Sequence, residues 1–269
     1  MERLLIVGER INSSRKGVAA LVSGRDAEAV VREASRQREA GADFIDVNAG
    51  TLLADELEAL RWLVTTIQGA LDVPLCVDSP NPAAMAAALE VHRGKALLNS
   101  ITAERERFRA VLPLVKRYGC GVVALCLDDS GMPSSAEEAV QKGRRLVEDL
   151  LEAGVPAEDI YVDPLVRPVS TDSRAGVAVV EAIRVLREKY PGVHTICGLS
   201  NVSFGLPQRR LLNRAFLVAT MTAGLDAVIL DPLDTGLMAL LRGAEAVLGR
   251  DEYCTRYLRA YREGRLAES

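Results

Sequence analysis

GVVALCLDDSGMPSSAEEAVQKGRRLVEDLLEAGVPAEDIYVDPL, residues 121–165, contains one complete repeating unit of the chain. Gly121–Leu127 is an apolar run of strand length, Ala136–Ala153 carries apolar residues at helical spacing, and Ile160–Leu165 is a second apolar run. Short runs that are apolar almost throughout fit strands packed on both faces, as in a parallel sheet whose strands are joined through helices. The alternation extends in both directions. LLIVGE (Leu4–Glu9), FIDVNAG (Phe44–Gly50), LCVDS (Leu75–Ser79), ALLNSI (Ala96–Ile101), TICGLS (Thr195–Ser200) and AVILDP (Ala227–Pro232) bring the strands to eight.

The other predicted helices are Asp26–Glu39, Asp55–Gln68, Pro82–His92, Glu104–Tyr118, Val177–Lys189, Leu212–Ala223 and Thr235–Leu248. The first of them opens on an Asp suited to capping and stops at Ala40-Gly41. Eight strand–helix alternations over 269 residues, with no linker-like tract, predict an α/β protein built as a single (β/α)8 barrel, one domain spanning 1–269. An open doubly wound sheet is the alternative. The polar tail from about Arg262 to Ser269 is expected to fray.

Hydrophobic residues make up 49% and charged residues 26%, enough to build a sizeable core. A net charge of -4 without any basic tract speaks against a nucleic-acid partner. No apolar run has the length of a membrane span or a signal peptide, so a soluble, cytoplasmic protein is expected. The five cysteines are widely spaced, without a Cys-x-x-Cys pair; Cys76, Cys126 and Cys197 fall in apolar runs and read as small buried hydrophobes.

A polar residue stands at or just past the end of every predicted strand: Glu9, Asn48, Asp78, Asn99, Asp128, Asp163, Asn201 and Asp231. Any one of them could simply cap a loop. Eight at the same end of a barrel mark the rim where this architecture places its active site. The rim has no histidine, cysteine or lysine; His92 falls on a helix and His194 precedes a strand, the wrong end for ligation, and no metal site is expected. No dinucleotide fingerprint, phosphate loop or nucleophile elbow is present. Carboxylates and amides together suit hydrogen bonding to a neutral, nitrogen-rich heterocycle. A pterin edge, with its ring N–H, exocyclic amine, ring nitrogens and carbonyl, is of this kind.

GERIN (Gly8–Asn12), DVNAG (Asp46–Gly50), LCVDS, LLNSITAE (Leu97–Glu104), YVDPL (Tyr161–Leu165) and GLSNVSFG (Gly198–Gly205) together make the chain similar to the pterin-binding methyltransferases. The likeness runs from Leu4 to about Asp231 and is nearest to methyltetrahydrofolate:corrinoid iron-sulfur protein methyltransferase and the folate-binding module of cobalamin-dependent methionine synthase. It implies a methyl group moved between N5 of tetrahydrofolate and the cobalt of cobalamin, in either direction. The folate is then a substrate, and a homodimer is implied as well. The chain has no corrinoid-binding Asp-x-His-x-x-Gly motif, so cobalamin would arrive on a partner corrinoid protein.

The resemblance also implies roles for individual residues. Asp163, Asp78 and Asn99 would bind the pterin edge, Asn201 would donate to N5 as the catalytic group, and Gly198, Ser200 and Arg209 would line the folate site. Glu9, Asn12, Asn48, Asp128 and Asp231 are left to shape loops or meet the corrinoid. Arg210 and Arg214 could reach a glutamate tail but read better as solvated surface charge. Phe204 stands where the acetogen enzymes carry Gln and agrees with the methionine synthase modules, as does the acidic LCLDDSGMP loop. Dihydropteroate synthase shares barrel and pterin contacts, but the first loop here reads ERINSSRKG and the Pro-Asp-Ser-Phe-Ser type loop and basic terminal motif of that family are not evident. A folate-binding module without turnover is the other alternative.

Overall fold

A computed structural model describes residues 3–266. Its eight strands are all parallel: β1 (Leu5–Asn12), β2 (Phe44–Asn48), β3 (Leu75–Asp78), β4 (Leu97–Thr102), β5 (Gly121–Leu125), β6 (Ile160–Asp163), β7 (His194–Thr195) and β8 (Ala227–Leu230). They hydrogen-bond in the order β7-β6-β5-β4-β3-β2-β1-β8. Just beyond β7, Gly198 bridges to Ile229, and the Ile229 N–H donates to the Cys197 carbonyl at 2.9 Å. These contacts bring the two ends of the sheet together, so the structure is the barrel and not the open sheet.

Residues alternate between two apolar layers along each strand, as the twofold period of a strand demands. Val7, Cys76, Leu97, Val123, Ile196 and Ala227 face inward, with Leu5, Phe44, Tyr161 and Ile229 beside them, and fill the barrel. Their neighbours, such as Ile6, Ile45, Val77, Leu98, Val122, Val162 and Val228, face outward into the larger core beneath the helices. The inward register, continued past each strand end, brings Glu9, Asn48, Asp78, Asn99, Asp163 and Asp231 to the C-terminal mouth.

Among the described residues, ten helices surround the sheet: α1 (Lys16–Ser23), α2 (Ala27–Glu39), α3 (Glu56–Ala70), α4 (Pro82–Val91), α5 (Arg105–Tyr118), α6 (Ala136–Glu152), α7 (Ala175–Lys189), α8 (Arg209–Thr222), α9 (Thr235–Val247) and α10 (Thr255–Arg262). Side chains that accept from first-turn N–H groups start several of them: Asp26 for α2, Asn81 for α4, Ser135 for α6 and Asp234 for α9. Helices α1 and α10 were not expected from the sequence. Each is only eight residues long and fully buries a single side chain, Val22 and Ala260 respectively, too short a signal to stand out between the longer elements.

The tail is also better tied down than expected, because the N–H groups of Glu263, Gly264 and Arg265 donate to carbonyls of α10. The rest of that predicted fraying segment, 267–269, lies outside the described residues. Two strands depart from their predicted bounds in ways that shape the site. β1 runs on to Asn12 through a register shift between Gly8 and Ile11, where Gln37 Oε1 accepts from the Arg10 N–H. β7 stops at Thr195, and Leu199–Ser203 winds into a 3-10 turn instead of continuing the strand.

Candidate active site

A cavity of about 770 Å³ opens at the C-terminal end of the barrel. Among its lining residues are Glu9, Asn12, Asp78, Asn99, Gly198, Ser200, Asn201, Arg209 and Asp231, nine of the residues singled out from sequence. Strands β1, β3 and β4 deliver Glu9, Asp78 and Asn99 directly. The 3-10 turn after β7 delivers Ser200 and Asn201.

That turn is held from outside. Arg209 donates through Nη2 to the Ser200 carbonyl at 2.8 Å and through Nε to Ser203 Oγ at 3.0 Å, and its guanidinium lies 4.5 Å from the Phe204 ring centre. Much of Arg209's donor capacity is therefore spent on the loop that carries Asn201. Gly198 is needed there for a steric reason: a methyl group on its α-carbon would sit 3.2 Å from Asn201 Nδ2. The turn thus brings the Asn201 side chain to the cavity.

Three predicted residues lie off the cavity wall. Asn48 is one contact away, donating from Nδ2 to Asp78 Oδ2 at 2.9 Å. Asp163 is 7% exposed and accepts from the N–H groups of Leu165, at 2.8 Å, and Gly198. Asp128 is not brought to the mouth. The chain turns away after Leu125, and Asp128 faces a separate cavity of about 510 Å³ beside α6, paired with the buried Lys142 ammonium and with Ser130. The hydrogen bonds from Lys142 and Ser130 hold its carboxyl down at about 2.

Several cavity residues went unassigned from sequence, among them Arg10, Arg15, Asp234 and Asp46. Asp46, the middle residue of β2, lines the cavity and is 2% exposed, with Oδ1 buried and unpartnered. Burial, and then the charge of nearby Asp78, drive its carboxyl well above the ordinary value. The signal was available: a carboxylate between Ile45 and Val47, in register with inward-facing Phe44 and Asn48, has no packing reason to be there.

Burial dominates the electrostatics of the site. It lifts Asp78 to about 6 against the Asn48 amide and the Arg107 guanidinium, and lifts Asp163 to about 7 against its two backbone donors. Arg107 also fastens the β3 and β4 loops together, donating to the carbonyls of Ser79 at 2.8 Å and Ser100 at 2.7 Å. Carboxyl groups poised near neutrality, beside amides, can accept from N–H donors when ionised and donate when protonated.

The remaining predictions resolve simply. His92 and His194 sit at the opposite end of the barrel, His92 accepting from the Leu75 N–H and His194 within 2.9 Å of Asp226. Cys76, Cys126 and Cys197 are buried, and burial raises all three thiols. Arg210 is exposed beside Asp234, whereas Arg214 is partly buried and donates to Asp234 at 2.7 Å.

Residues 8–231 match the family model described as pterin binding enzyme. The chain is 35% identical to a methylcorrinoid:tetrahydrofolate methyltransferase of Eubacterium limosum, over 98% of each sequence. It is 32% identical over 84% of its length to a methionine synthase of Mycobacterium tuberculosis, of which it spans 20%. Among solved structures, dihydropteroate synthase from Clostridium difficile, in the presence of pteroic acid, superposes with a TM-score of 0.72 over 91% of this chain and 97% of that one. At 20% identity, that likeness shows the fold.

Proposed function

Because the chain belongs to the pterin binding enzyme family, we propose that it moves a methyl group between N5 of tetrahydrofolate and the cobalt of a corrinoid carried by a partner protein. The observation that carries this reading is that Asp78, Asn99 and Asn201 face one cavity in a chain similar along its length to a methylcorrinoid:tetrahydrofolate methyltransferase. Dihydropteroate synthase supplies only a fold likeness. The chain spans a fifth of the methionine synthase it matches, so methionine formation is not part of the proposal.

The donor set of the mouth fits a pterin. Asp78 accepts from its ring N–H and exocyclic amine, Asp163, behind the cavity wall, is the second carboxyl that the sequence resemblance assigns to that edge, and the Asn99 amide both donates and accepts. Asn201 donates to N5. An N5 tertiary amine is a poor leaving group until negative charge developing on nitrogen is relieved, and a preorganised donor supplies that relief at the moment it is needed, typically worth about 3 kcal/mol. The corrinoid, a second substrate, would accept or supply the methyl group, so the enzyme needs no nucleophilic side chain of its own.

Transfer from the methylcorrinoid to tetrahydrofolate is the direction named for the relative, and the same site lowers the barrier both ways. The chain is proposed to act as one domain and as a homodimer, the latter on the sequence resemblance. Among the described residues no helix is long and apolar enough to cross a membrane. The free, mostly buried cysteines suit a reducing cytoplasm.

The test is anaerobic mixing of the protein with methyltetrahydrofolate and cob(I)alamin while the cobalt absorption spectrum is followed. Rapid formation of methylcobalamin is expected. Its absence with both free and protein-bound cobalamin overturns the proposal.

A further inference from the structure

Methyl transfer at N5 has a proton in its balance. When the N5–methyl bond breaks, its electron pair stays on nitrogen and must bind a proton, while cobalt supplies the pair for the new bond to carbon. In the reverse transfer, the secondary amine attacks the methyl carbon and N5 then releases that proton. Asn201 can hydrogen-bond to N5, but an amide does not give up a proton for good. Some other group at the mouth has to hold it.

Glu9 is placed for this. Two residues beyond inward-facing Val7, it lines the cavity, where Oε2 accepts from Ser200 Oγ at 3.2 Å, on the residue beside Asn201. Arg15 approaches Oε1 at 3.4 Å from the other side. The charged groups facing it are Arg15 and Arg209, which favour its ionised form, and Asp231, which opposes it; Asp231 is itself paired with Arg10 at 2.7 Å. Deeper in the barrel, Asp46 also feels its charge. Burial is the largest influence and outweighs the guanidinium groups, so the carboxyl holds its proton to higher pH than an ordinary glutamate.

We infer that Glu9 exchanges the proton with N5 of the folate, giving it up as the methyl group leaves for the corrinoid and taking it back in the reverse transfer. The role rests on the methyl-transfer reading above and adds to it the residue that completes the proton balance. Among the cavity carboxyls, Asp78 is engaged by Asn48, and Asp46 lies deeper in the middle of its strand. Of these carboxyls, Glu9 is the one hydrogen-bonded to the turn that presents Asn201.

The experiment is single-turnover methyl transfer from saturating methyltetrahydrofolate to cob(I)alamin across the weakly acidic to weakly alkaline range. Wild type, Glu9→Gln and Arg15→Gln are compared, with folate affinity measured separately. The wild-type rate is expected to fall as pH rises and Glu9 loses its proton. Glu9→Gln should be slower by about 100-fold, the usual scale for a lost general acid, with that pH dependence abolished and folate affinity retained. Arg15→Gln removes a charge that favours ionisation, so its inflection should move to higher pH.

A Glu9→Gln enzyme with the wild-type rate and profile overturns the inference. A loss matched by an equal loss of folate affinity does so too, as does an unmoved inflection in Arg15→Gln, which also decides the matter if Glu9→Gln does not fold. A wild-type protein with no methyl transfer defeats the methyltransferase reading and the proton role together. Normal wild-type turnover beside an unaffected Glu9→Gln defeats the proton role alone.

Discussion

Replacing Asp163 with asparagine should stabilise the folate-free protein at alkaline pH and weaken folate binding in the same variant. Burial raises this carboxyl from 3.8 to about 7, with the N–H groups of Leu165 and Gly198 pulling the other way. A carboxyl that ionises less readily folded than unfolded costs stability as pH rises, because the unfolded chain releases its proton first. The cost begins near pH 3.8, grows until about 7 and is constant above that. About three decades at about 1.4 kcal/mol each set its ceiling near 4 kcal/mol.

Asparagine at this position keeps an oxygen for the Leu165 N–H and never ionises, so it escapes the cost. At about 2–4 °C per kcal/mol for a chain of this size, Tm should exceed wild type by up to about 10 °C at about pH 8 and converge with it near pH 4. Thermal melts followed by circular dichroism at the two pH values read this out. Folate affinity, measured by calorimetry, should drop by about 10- to 100-fold, the scale of one hydrogen bond to a charged acceptor. An asparagine variant less stable than wild type at pH 8, or an advantage that does not change with pH, refutes the assignment of a buried, reluctantly ionised carboxyl.

Asn201→Ala should slow single-turnover methyl transfer by about 100-fold or more while leaving folate affinity close to wild type; equal losses in both would show a binding role only. Gly198→Ala should reproduce the slow turnover by crowding the Asn201 amide, and combining it with Asn201→Ala should slow the enzyme no further; additive slowing would separate the two. Asp128→Asn should leave turnover with free cobalamin unchanged but lower unfolding stability in urea by about 2 kcal/mol, since it weakens the partner of the buried Lys142 ammonium. A turnover defect would place Asp128 in the reaction after all.

The barrel was legible because its strands are apolar on both faces and recur with helices between them, and a closed parallel sheet is the architecture that eight such units form most readily. The rim was legible for a related reason. Along β1, β3, β4 and β8 the inward positions pass from Val7, Cys76, Leu97 and Ile229 to Glu9, Asp78, Asn99 and Asp231, so a change from apolar to polar at constant register marks the mouth. Asp128 escaped this logic because the chain leaves the inward register after Leu125, and a polar residue three positions on can face anywhere. Asn201 is in the site although its strand ends at Thr195, held by side-chain contacts from Arg209 that no local pattern announces. Asp46 was hidden inside an apolar run, and recognising it required asking why a strand would bury a carboxyl. The sequence also could not tell which rim carboxyls hold protons near neutral pH, since that depends on how completely each is buried.

The central claim is that this site moves a methyl group between folate nitrogen and corrinoid cobalt. Its most direct test is to supply methylcobalamin labelled with carbon-13 in the methyl group, together with tetrahydrofolate and the protein, and to follow the label by NMR. The methyl resonance is expected to move from its cobalt-bound position to that of N5-methyltetrahydrofolate, and to do so far more slowly with Asn201→Ala. A label that stays on cobalt, with free and protein-bound corrinoid alike, while the protein binds tetrahydrofolate, would contradict it and leave a folate-binding barrel without turnover.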